Sequence, residues 1–410
     1  MKDVVSQVFI GSLSCFIALS SNAVASEKGT FSSSVGAQVT HDDNLYKINQ
    51  DSELVRQLLS SFDFSDTVTS VFANAGMDWD VSRQKILASV SVTQNNYTKN
   101  AQFDNTETQY SIKWNWRAGQ LFFGDLFHNE NRRLANFTDN LNAALLASKI
   151  DEGLSGFSTN WQMHSRWQAQ VSLNERTTEY SVDSLALNNK NVVTSSAKVT
   201  YKTEVNNSFS LSISQAKIDY ENRTFEDGDT VDNEYSLSTI VLATNYHYSD
   251  KSLVSAKLLW RELEPEHATN GTEFALSDWG FNINYRWQIA PTIQLTTILA
   301  DEISPSENIN TDFQRSQKLN LGITWQALNK VIIGLQTKYE KRRFEFNTNL
   351  NSALQIASKN TYKKAAINIA YLPSAIIELR IGYEFNNQRS DLLLRNFDSN
   401  TTYATLVASF

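Results

Sequence analysis

The stretch Trp279-Gly280-Phe281-Asn282-Ile283-Asn284-Tyr285-Arg286-Trp287 places an aromatic or aliphatic side chain at every second position. Glycine, asparagine and arginine occupy the positions between them. Because side chains of a β-strand point alternately to its two faces, this pattern predicts a strand with one apolar and one polar face. The same alternation recurs at 319–325, 331–339 and 377–385. The polar face excludes a strand that is buried on both sides.

Segments of this kind fill the chain from residue 31 to its end. We predict eighteen strands, at 31–39, 66–80, 84–98, 105–117, 120–131, 152–163, 165–177, 191–203, 206–220, 234–248, 251–263, 276–288, 291–302, 313–327, 329–343, 361–372, 374–388 and 401–410. Connections of a few residues alternate with long ones, and all four prolines lie in connections. Short turns at one end and long loops at the other are typical of outer-membrane barrels. The predicted fold is therefore an all-β, transmembrane, antiparallel up-and-down β-barrel with short periplasmic turns and long extracellular loops.

The tryptophans support this topology independently. If the first strand runs outward, seven of the nine tryptophans lie at the periplasmic level and two, Trp260 and Trp279, lie at the outer level. Amphipathic rings concentrate at the two membrane interfaces. Aromatic packing in a water-soluble core would not sort tryptophans by strand end.

The first 25 residues resemble an export signal rather than part of the barrel. Lys2 precedes a short apolar run, and Ala23-Val24-Ala25 provides an A-x-A cleavage pattern. We therefore predict a signal peptide at 1–25 and a single barrel domain at 26–410, located in the outer membrane of a Gram-negative bacterium. Cys15 is the only cysteine, so the predicted mature chain forms no disulfide or thiolate metal site. No later apolar run approaches the roughly 20 residues of a membrane-spanning helix.

Eighteen strands enclose a lumen wider than side chains can fill, which predicts an aqueous channel. Only residues 26–30 precede the first predicted strand, so we expect loops rather than an N-terminal plug to constrict it. More basic than acidic residues occupy the predicted inner face. A positive bore would favour anionic solutes, whereas a salt-bridged wall would only stabilise the barrel. The lumen-lining candidates are Lys113, Arg117, Arg166, Lys198, Lys257, Arg286, Lys318, Lys338 and Arg380.

A second group of arginines, several with nearby carboxylates, lies where outgoing strands end. Arginine forks suit carboxylate, phosphate or sulfate groups. These residues would therefore guide an acidic polymer at the exit, or contact lipopolysaccharide phosphates and form ion pairs at the rim. The outer-mouth candidates are Arg132, Arg133, Arg176, Arg223, Arg261, Arg342 and Arg389.

Two long loops carry helix-like apolar runs. Asp51 or Ser52 would cap a helix reaching Phe62, and Asp139 would cap one reaching Ile150. We expect one or more of these loops to fold inward as a constriction or lid, or to contact partners outside the cell.

The sequence gives no sign of catalysis. His41-Asp42-Asp43 lacks a convincing second half of an active site, and the predicted protein is not an enzyme. No phosphate loop, nucleophile elbow or His-Glu-x-x-His motif occurs, so we expect no cofactor and no metal site.

The chain ends in an alternating strand whose last residue is Phe410, which resembles the recognition signal of bacterial outer-membrane proteins. This resemblance implies the barrel-assembly machinery as a partner. The expected surroundings are outer-membrane lipid and lipopolysaccharide, and no feature points to nucleic acid.

The stretch from Val35 to Tyr46, with its Thr-His-Asp-Asp-Asn-Leu-Tyr turn, resembles the exopolysaccharide-associated outer-membrane proteins of the EpsL type, within the β-barrel porin-2 group. The segments 132–139 and 153–157 are similar in style. This resemblance implies export or surface deposition of an extracellular polysaccharide, including an anionic one, with periplasmic export components as partners. Two alternatives stay open. One is a diffusion porin for small solutes, including anionic ones, and the other is an enzyme at the outer surface.

Overall fold

The computed structural model describes residues 30–58, 63–135, 137, 146–220, 234–266, 276–305, 311–346, 359–391 and 395–410. They form eighteen strands. In chain order these are β1 Phe31–Asp42, β2 Asp66–Val81, β3 Gln84–Tyr97, β4 Asn105–Ala118, β5 Phe122–Leu134, β6 Lys149–His164, β7 Trp167–Tyr180, β8 Lys190–Lys202, β9 Ser208–Asp219, β10 Glu234–Ser249, β11 Ser252–Pro265, β12 Leu276–Ala290, β13 Ile293–Pro305, β14 Thr311–Leu328, β15 Val331–Phe346, β16 Lys359–Tyr371, β17 Ile377–Ser390 and β18 Phe397–Ser409. The predicted signal peptide lies outside the described residues and stays a prediction.

The eighteen strands form one closed antiparallel sheet in which each strand pairs with its neighbours in sequence. The first and last strands complete the ring. Ser34 of β1 faces Asn74 of β2 on one side and Ser409 of β18 on the other. Two backbone hydrogen bonds between Ser33 and Phe410, at 3.0 and 2.7 Å, extend the closing ladder. The predicted fold and strand number are confirmed.

The outward face of the barrel is apolar. Val35, Ile213 and Ile381 are 51%, 56% and 58% exposed, and every strand contributes side chains of this kind. A continuous belt of exposed aliphatic and aromatic groups is unfavourable in water but suits the hydrocarbon core of a bilayer. The closed ladder leaves no sheet edge, so the backbone polar groups are satisfied within the membrane. The protein is therefore a transmembrane barrel of the outer-membrane type.

All nine tryptophans occupy outward-facing positions at strand ends. Trp260 and Trp279 are direct partners across β11 and β12 at the outer level. The other seven lie beside the short turns. Several of them contact aromatic neighbours: the rings of Trp167 and Tyr201 are 5.0 Å apart. Trp116 lies over Gly124, where an added Cβ would also meet the Ser158 carbonyl.

The described loops contain little helix. Helix α1, Glu53–Leu58, begins beside the predicted cap, whereas residues 59–62 lie outside the described part. Two short 3-10 turns occur at Ala101–Phe103 and Asp183–Asn188. The helix predicted to reach Ile150 is wrong at its end, because Ile150 already belongs to β6. Within the described residues, no helix combines the length and apolar character needed to cross a membrane.

Candidate functional site

The lumen is bounded by the polar faces of the strands. Strands about 4.8 Å apart and tilted by about 40° give an eighteen-stranded barrel a width of roughly 35 Å between opposite backbones. Side chains from the wall cannot fill this width. Serine, threonine, asparagine and glutamine alternate with the outward apolar residues on most strands. The interior is therefore suited to water and hydrophilic solutes.

Many of the inward cations are neutralised by carboxylates on the same or the next strand. The Lys113 ammonium lies 3.4 Å from Asp125 of β5. Arg380 lies 2.5 Å from Glu378 on its own strand. In these pairs the cation contacts a residue of its own strand or of the adjacent strand. Its charge is therefore compensated within the wall and is not directed at the lumen. This part of the wall matches the salt-bridged alternative of the sequence analysis.

Glu340 is a buried carboxylate of the inner wall and is only 1% exposed. Three cations surround it. The Lys338 ammonium lies at 2.8 Å, the Arg342 Nε at 2.9 Å and the Lys318 ammonium at 3.9 Å. Lys338 also lies 5.3 Å from the ring centre of Tyr362. This cluster ties β14, β15 and β16 together near the outer end of the barrel.

Four of the predicted lumen cations, Arg117 among them, have no carboxylate partner within the described residues. Lys198 of β8 and Arg286 of β12 are exposed, and Lys257 of β11 is partly exposed. They lie on the inward faces of their strands, since Val199, Leu258 and Trp287 beside them belong to the outward belt.

Two of the predicted lumen residues lie toward the periplasmic end. Arg166 is not on the barrel wall: it occupies the short turn between β6 and β7 and pairs with Glu204 of another turn. The prediction missed this because strand ends are the least certain part of an alternating pattern. Arg117 is on the inward face of β4, near its end, with its guanidinium 5.6 Å from the ring centre of Phe123.

The predicted outer-mouth arginines separate onto two faces. Arg133, Arg176 and Arg342 lie on inward positions, whereas Arg132 and Arg389 lie on outward ones. Four of these arginines form ion pairs at the rim: Arg133 with Glu152 at 3.2 Å, Arg342 with Glu340 at 2.9 Å, Arg132 with Asp151 at 2.5 Å and Arg389 with Asp398 at 2.9 Å. This arrangement favours rim ion pairs over a ring of open forks.

Arg261, another outer-mouth candidate, does not line an open rim. Arg261 is partly buried between strands and donates to the Ile303 carbonyl. It borders a small pocket with Asp278, Gly280 and Glu302, where the outer ends of β12 and β13 separate. Arg223 lies outside the described residues.

A cluster of buried apolar side chains, the loop cluster, covers part of the outer mouth. Tyr46 and Phe103 are 0% exposed, and each lies 5.2 Å from the ring centre of Phe137. These residues come from three different loops. The strands contribute inward-facing residues, including Tyr97, Ile150 and Tyr180. The loops after β1, β3, β5 and β7 therefore fold toward the lumen and pack on the wall below them.

The loop cluster has a polar centre. The Tyr46 hydroxyl donates to Asn100 Oδ1 at 2.6 Å, and the Asn100 side chain donates to Asp66 at 2.9 Å. Asp66 also accepts from the backbone N–H groups of Lys99 and Asn100. Burial, reinforced by the Asp66 and Asp63 carboxylates, raises the pKa of Tyr46 well above its ordinary value. The hydroxyl therefore stays protonated and keeps its role as donor.

A contact from the far side of the β1–β18 junction extends this cover. Arg395, in the loop between β17 and β18, donates to the Phe137 carbonyl at 3.3 Å. Phe137 belongs to the loop between β5 and β6, so the bond spans about a third of the circumference. Residues 138–145, which include most of the predicted inward-folding helix, lie outside the described part. This cluster was not predicted from the sequence, although Leu45, Tyr46 and Ile48 are apolar residues within a polar loop.

The His41-Asp42-Asp43 motif has a structural use. His41 faces outward and contacts Thr67 Oγ1 at 3.0 Å, whereas Asp42 faces inward and pairs with Lys47 at 2.5 Å. Asp43 accepts two hydrogen bonds from Asn400 of β18. Asp42 also accepts a hydrogen bond from Ser399 of β18, so Asp42 and Asp43 anchor the first loop to the closing strand, whereas His41 contacts β2. Among the described residues, no group of three potential ligands could hold a metal ion.

The chain matches no protein-family model and no curated protein. It is similar in structure to a BenF-like porin from Pseudomonas fluorescens Pf-5, at 9% identity and TM-score 0.49, covering 94% of this chain and 99% of that one. It is also similar to OccK2 (OpdF) from Pseudomonas aeruginosa, at 9% identity and TM-score 0.49, covering 93% and 98%. It is also similar to the siderophore receptor PirA from Pseudomonas aeruginosa, at 9% identity and TM-score 0.46, covering 92% of this chain and 80% of that one. Likenesses of this degree assign no substrate to the chain.

Proposed function

We propose that the protein is an outer-membrane channel through which small hydrophilic solutes diffuse. The observation that carries this proposal is the inner wall: eighteen strands surround a wide lumen whose facing side chains are predominantly polar. Barrels of this size leave an aqueous path unless a plug fills it. The loop cluster covers one side of the mouth and would restrict the size of solutes that enter.

Reconstitution tests this function directly. The purified, folded protein inserted into planar bilayers is expected to produce stepwise ion currents, and liposomes that contain it are expected to swell in small sugars. The rate of swelling should fall as the sugar becomes larger, because the loop cluster narrows the entrance. Heat-unfolded protein provides the control. A folded barrel that gives no current and no swelling would contradict the proposal.

Passage of an extracellular polysaccharide, which the resemblance to EpsL-type proteins implied, stays a prediction. No family or curated protein matches the chain, and diffusion of small solutes requires only the polar lumen. A strain that lacks the gene separates the two functions. Normal polymer secretion together with reduced uptake of small solutes would favour the diffusion channel.

A further inference from the structure

The inner wall from β8 to β12 differs in charge from the rest of the lumen. These five adjacent strands carry inward-facing cations in their periplasmic halves, namely Lys198, Lys257 and Arg286. Their acidic residues are confined to the outer ends of the strands: Asp219, Glu234, Glu262, Glu264 and Asp278. The connecting turns below them contain only Glu204 and Asp250. No carboxylate therefore belongs to the wall at the level of the three cations.

The strand register surrounds these cations with small neutral side chains. Lys198 lies opposite Ser212 of β9, and Lys257 lies between Ala243 of β10 and Asn282 of β12. Such neighbours leave the positive charges directed at the lumen, because short side chains neither pair with them nor cover them.

The opposite wall is close to neutral at the same level. Where β17 carries Arg380, Glu378 accompanies it, and Lys364 of β16 pairs with Glu384 at 2.5 Å. On β3, Lys85 pairs with Asp78 at 2.6 Å. Apart from Arg117 of β4, which contacts the Phe123 ring, the predicted lumen cations without a carboxylate partner in the described residues therefore lie on β8, β11 and β12. The protein as a whole is acidic, with a net charge of −8.

We propose that Lys198, Lys257 and Arg286 form an anion site at which the channel selects small solutes bearing carboxylate, phosphate or sulfate groups. This inference rests on the proposed channel function and adds the class of solute. Cations that line a pore raise the local concentration of anions and repel cations. Arg286 presents a planar fork that suits two oxygens of one anionic group, whereas the lysines act as point charges.

The spacing of the three cations suits passage better than tight capture. Lys198 and Lys257 are three strands apart, or roughly 14 Å along the wall, given about 4.8 Å between strands. A small anion therefore contacts one of these two lysines at a time. A site that attracts it only weakly allows the solute to enter and also to leave.

Reversal potentials in a salt gradient test the site. With unequal KCl across a planar bilayer, the wild-type channel is expected to carry more chloride than potassium. The variant Lys198→Gln, Lys257→Gln, Arg286→Gln should bring the permeability ratio to about one or below it. The wild-type preference should also weaken from 0.1 M to 1 M salt, because the screening length falls from about 10 Å to about 3 Å.

A variant with the same change in net charge provides the control. Lys217→Gln, Lys341→Gln, Lys363→Gln removes three cations from outward-facing positions of β9, β15 and β16, and should keep the wild-type preference. A heat-dependent shift in gel mobility verifies that each variant is folded. A wild-type channel without anion preference, or a lumen variant that retains it, overturns the anion site alone. Absence of current from the folded wild-type protein overturns both the channel and the site.

Discussion

The buried hydroxyl of Tyr46 shows how much of the outer mouth depends on single residues. Its ring packs on side chains from two other loops, and its hydroxyl reaches Asn100, which in turn binds Asp66 at the start of β2. The residue thus joins the apolar and polar halves of the loop cluster. Without the Tyr46 hydroxyl, Asn100 Oδ1 would keep only the longer hydrogen bond from Gln102, at 3.3 Å, and a poorly satisfied buried amide costs free energy.

Tyr46→Ala should loosen the loop cluster without unfolding the barrel. The loss of a fully buried ring leaves a cavity and removes the donor to Asn100. Truncation of a buried aromatic side chain costs about 3–5 kcal/mol. We expect faster hydrogen exchange at residues 44–48 and 100–103, and larger single-channel currents.

Tyr248→Ala is the matched control, since Tyr248 is exposed and lies beside a periplasmic turn. It should leave hydrogen exchange in the outer loops and the current unchanged. If Tyr46→Ala also leaves both unchanged, the loop cluster does not restrict the entrance.

At the scale of elements, the alternation of apolar and polar side chains gives each strand one face toward lipid and one toward the aqueous lumen. Val90 of β3 belongs to the outward belt, while Ser91 points into the lumen between Asn74 and Gln109. This alternation was predictable from sequence, because its period of two needs no knowledge of the partner strand. The partners themselves were not. The pair of Lys113 and Asp125 depends on the register between β4 and β5, which turn geometry and packing decide.

Val90→Lys and Ser91→Lys should therefore differ strongly although they are adjacent. A lysine near the middle of the lipid-facing belt costs about 2–4 kcal/mol. The same residue facing the lumen stays hydrated. Val90→Lys is expected to unfold at lower denaturant concentration and Ser91→Lys to resemble the wild type, as followed by the gel shift of the folded barrel. Equal destabilisation would contradict the assignment of faces.

Glu340 gives a second prediction at this scale, because one carboxylate serves cations from two strands. Glu340→Gln leaves Lys318, Lys338 and Arg342 with mutual repulsion and no anion. Removing one member of a buried ion pair costs about 3–5 kcal/mol, and partial exposure of these cations reduces the expected loss to roughly 1–3 kcal/mol. The temperature of conversion to the unfolded gel form should fall.

Glu378→Gln is the control for this change. Glu378 pairs with Arg380 on its own strand and does not link neighbouring strands. It should lower the conversion temperature by less than Glu340→Gln does. The reverse order would show that the cluster around Glu340 does not hold β14 and β15 together.

At the scale of the whole molecule, the pairing of β1 with β18 closes the eighteen strands into one sheet without edges. The alternation, the sorted loop lengths and the positions of tryptophan predicted this architecture. The loop cluster could not be predicted in the same way, because Tyr46, Phe103 and Phe137 come from separate loops without a regular period. The sequence also did not reveal which lumen cations would pair with carboxylates, because those pairs depend on the register between strands.

Closure itself is testable. The intact protein should migrate faster on a cold detergent gel than after boiling, because a closed barrel resists detergent unfolding. A chain that ends at residue 396 lacks β18 and leaves β1 and β17 with open edges. It should show no mobility shift. A shift that persists without β18 would contradict the closing role of the last strand.

The wall formed by β8 to β12 carries cations without carboxylate partners, whereas the cations of the opposite wall are paired. This difference affects how solutes are oriented in the lumen. Positive charge on one side only produces an electric field across the bore, perpendicular to the direction of transport. A dipolar molecule such as a zwitterion, although it carries no net charge, would rotate in this field until its anionic end faces Lys257. Such solutes would pass these three cations in a fixed orientation, with their dipole perpendicular to the direction of transport.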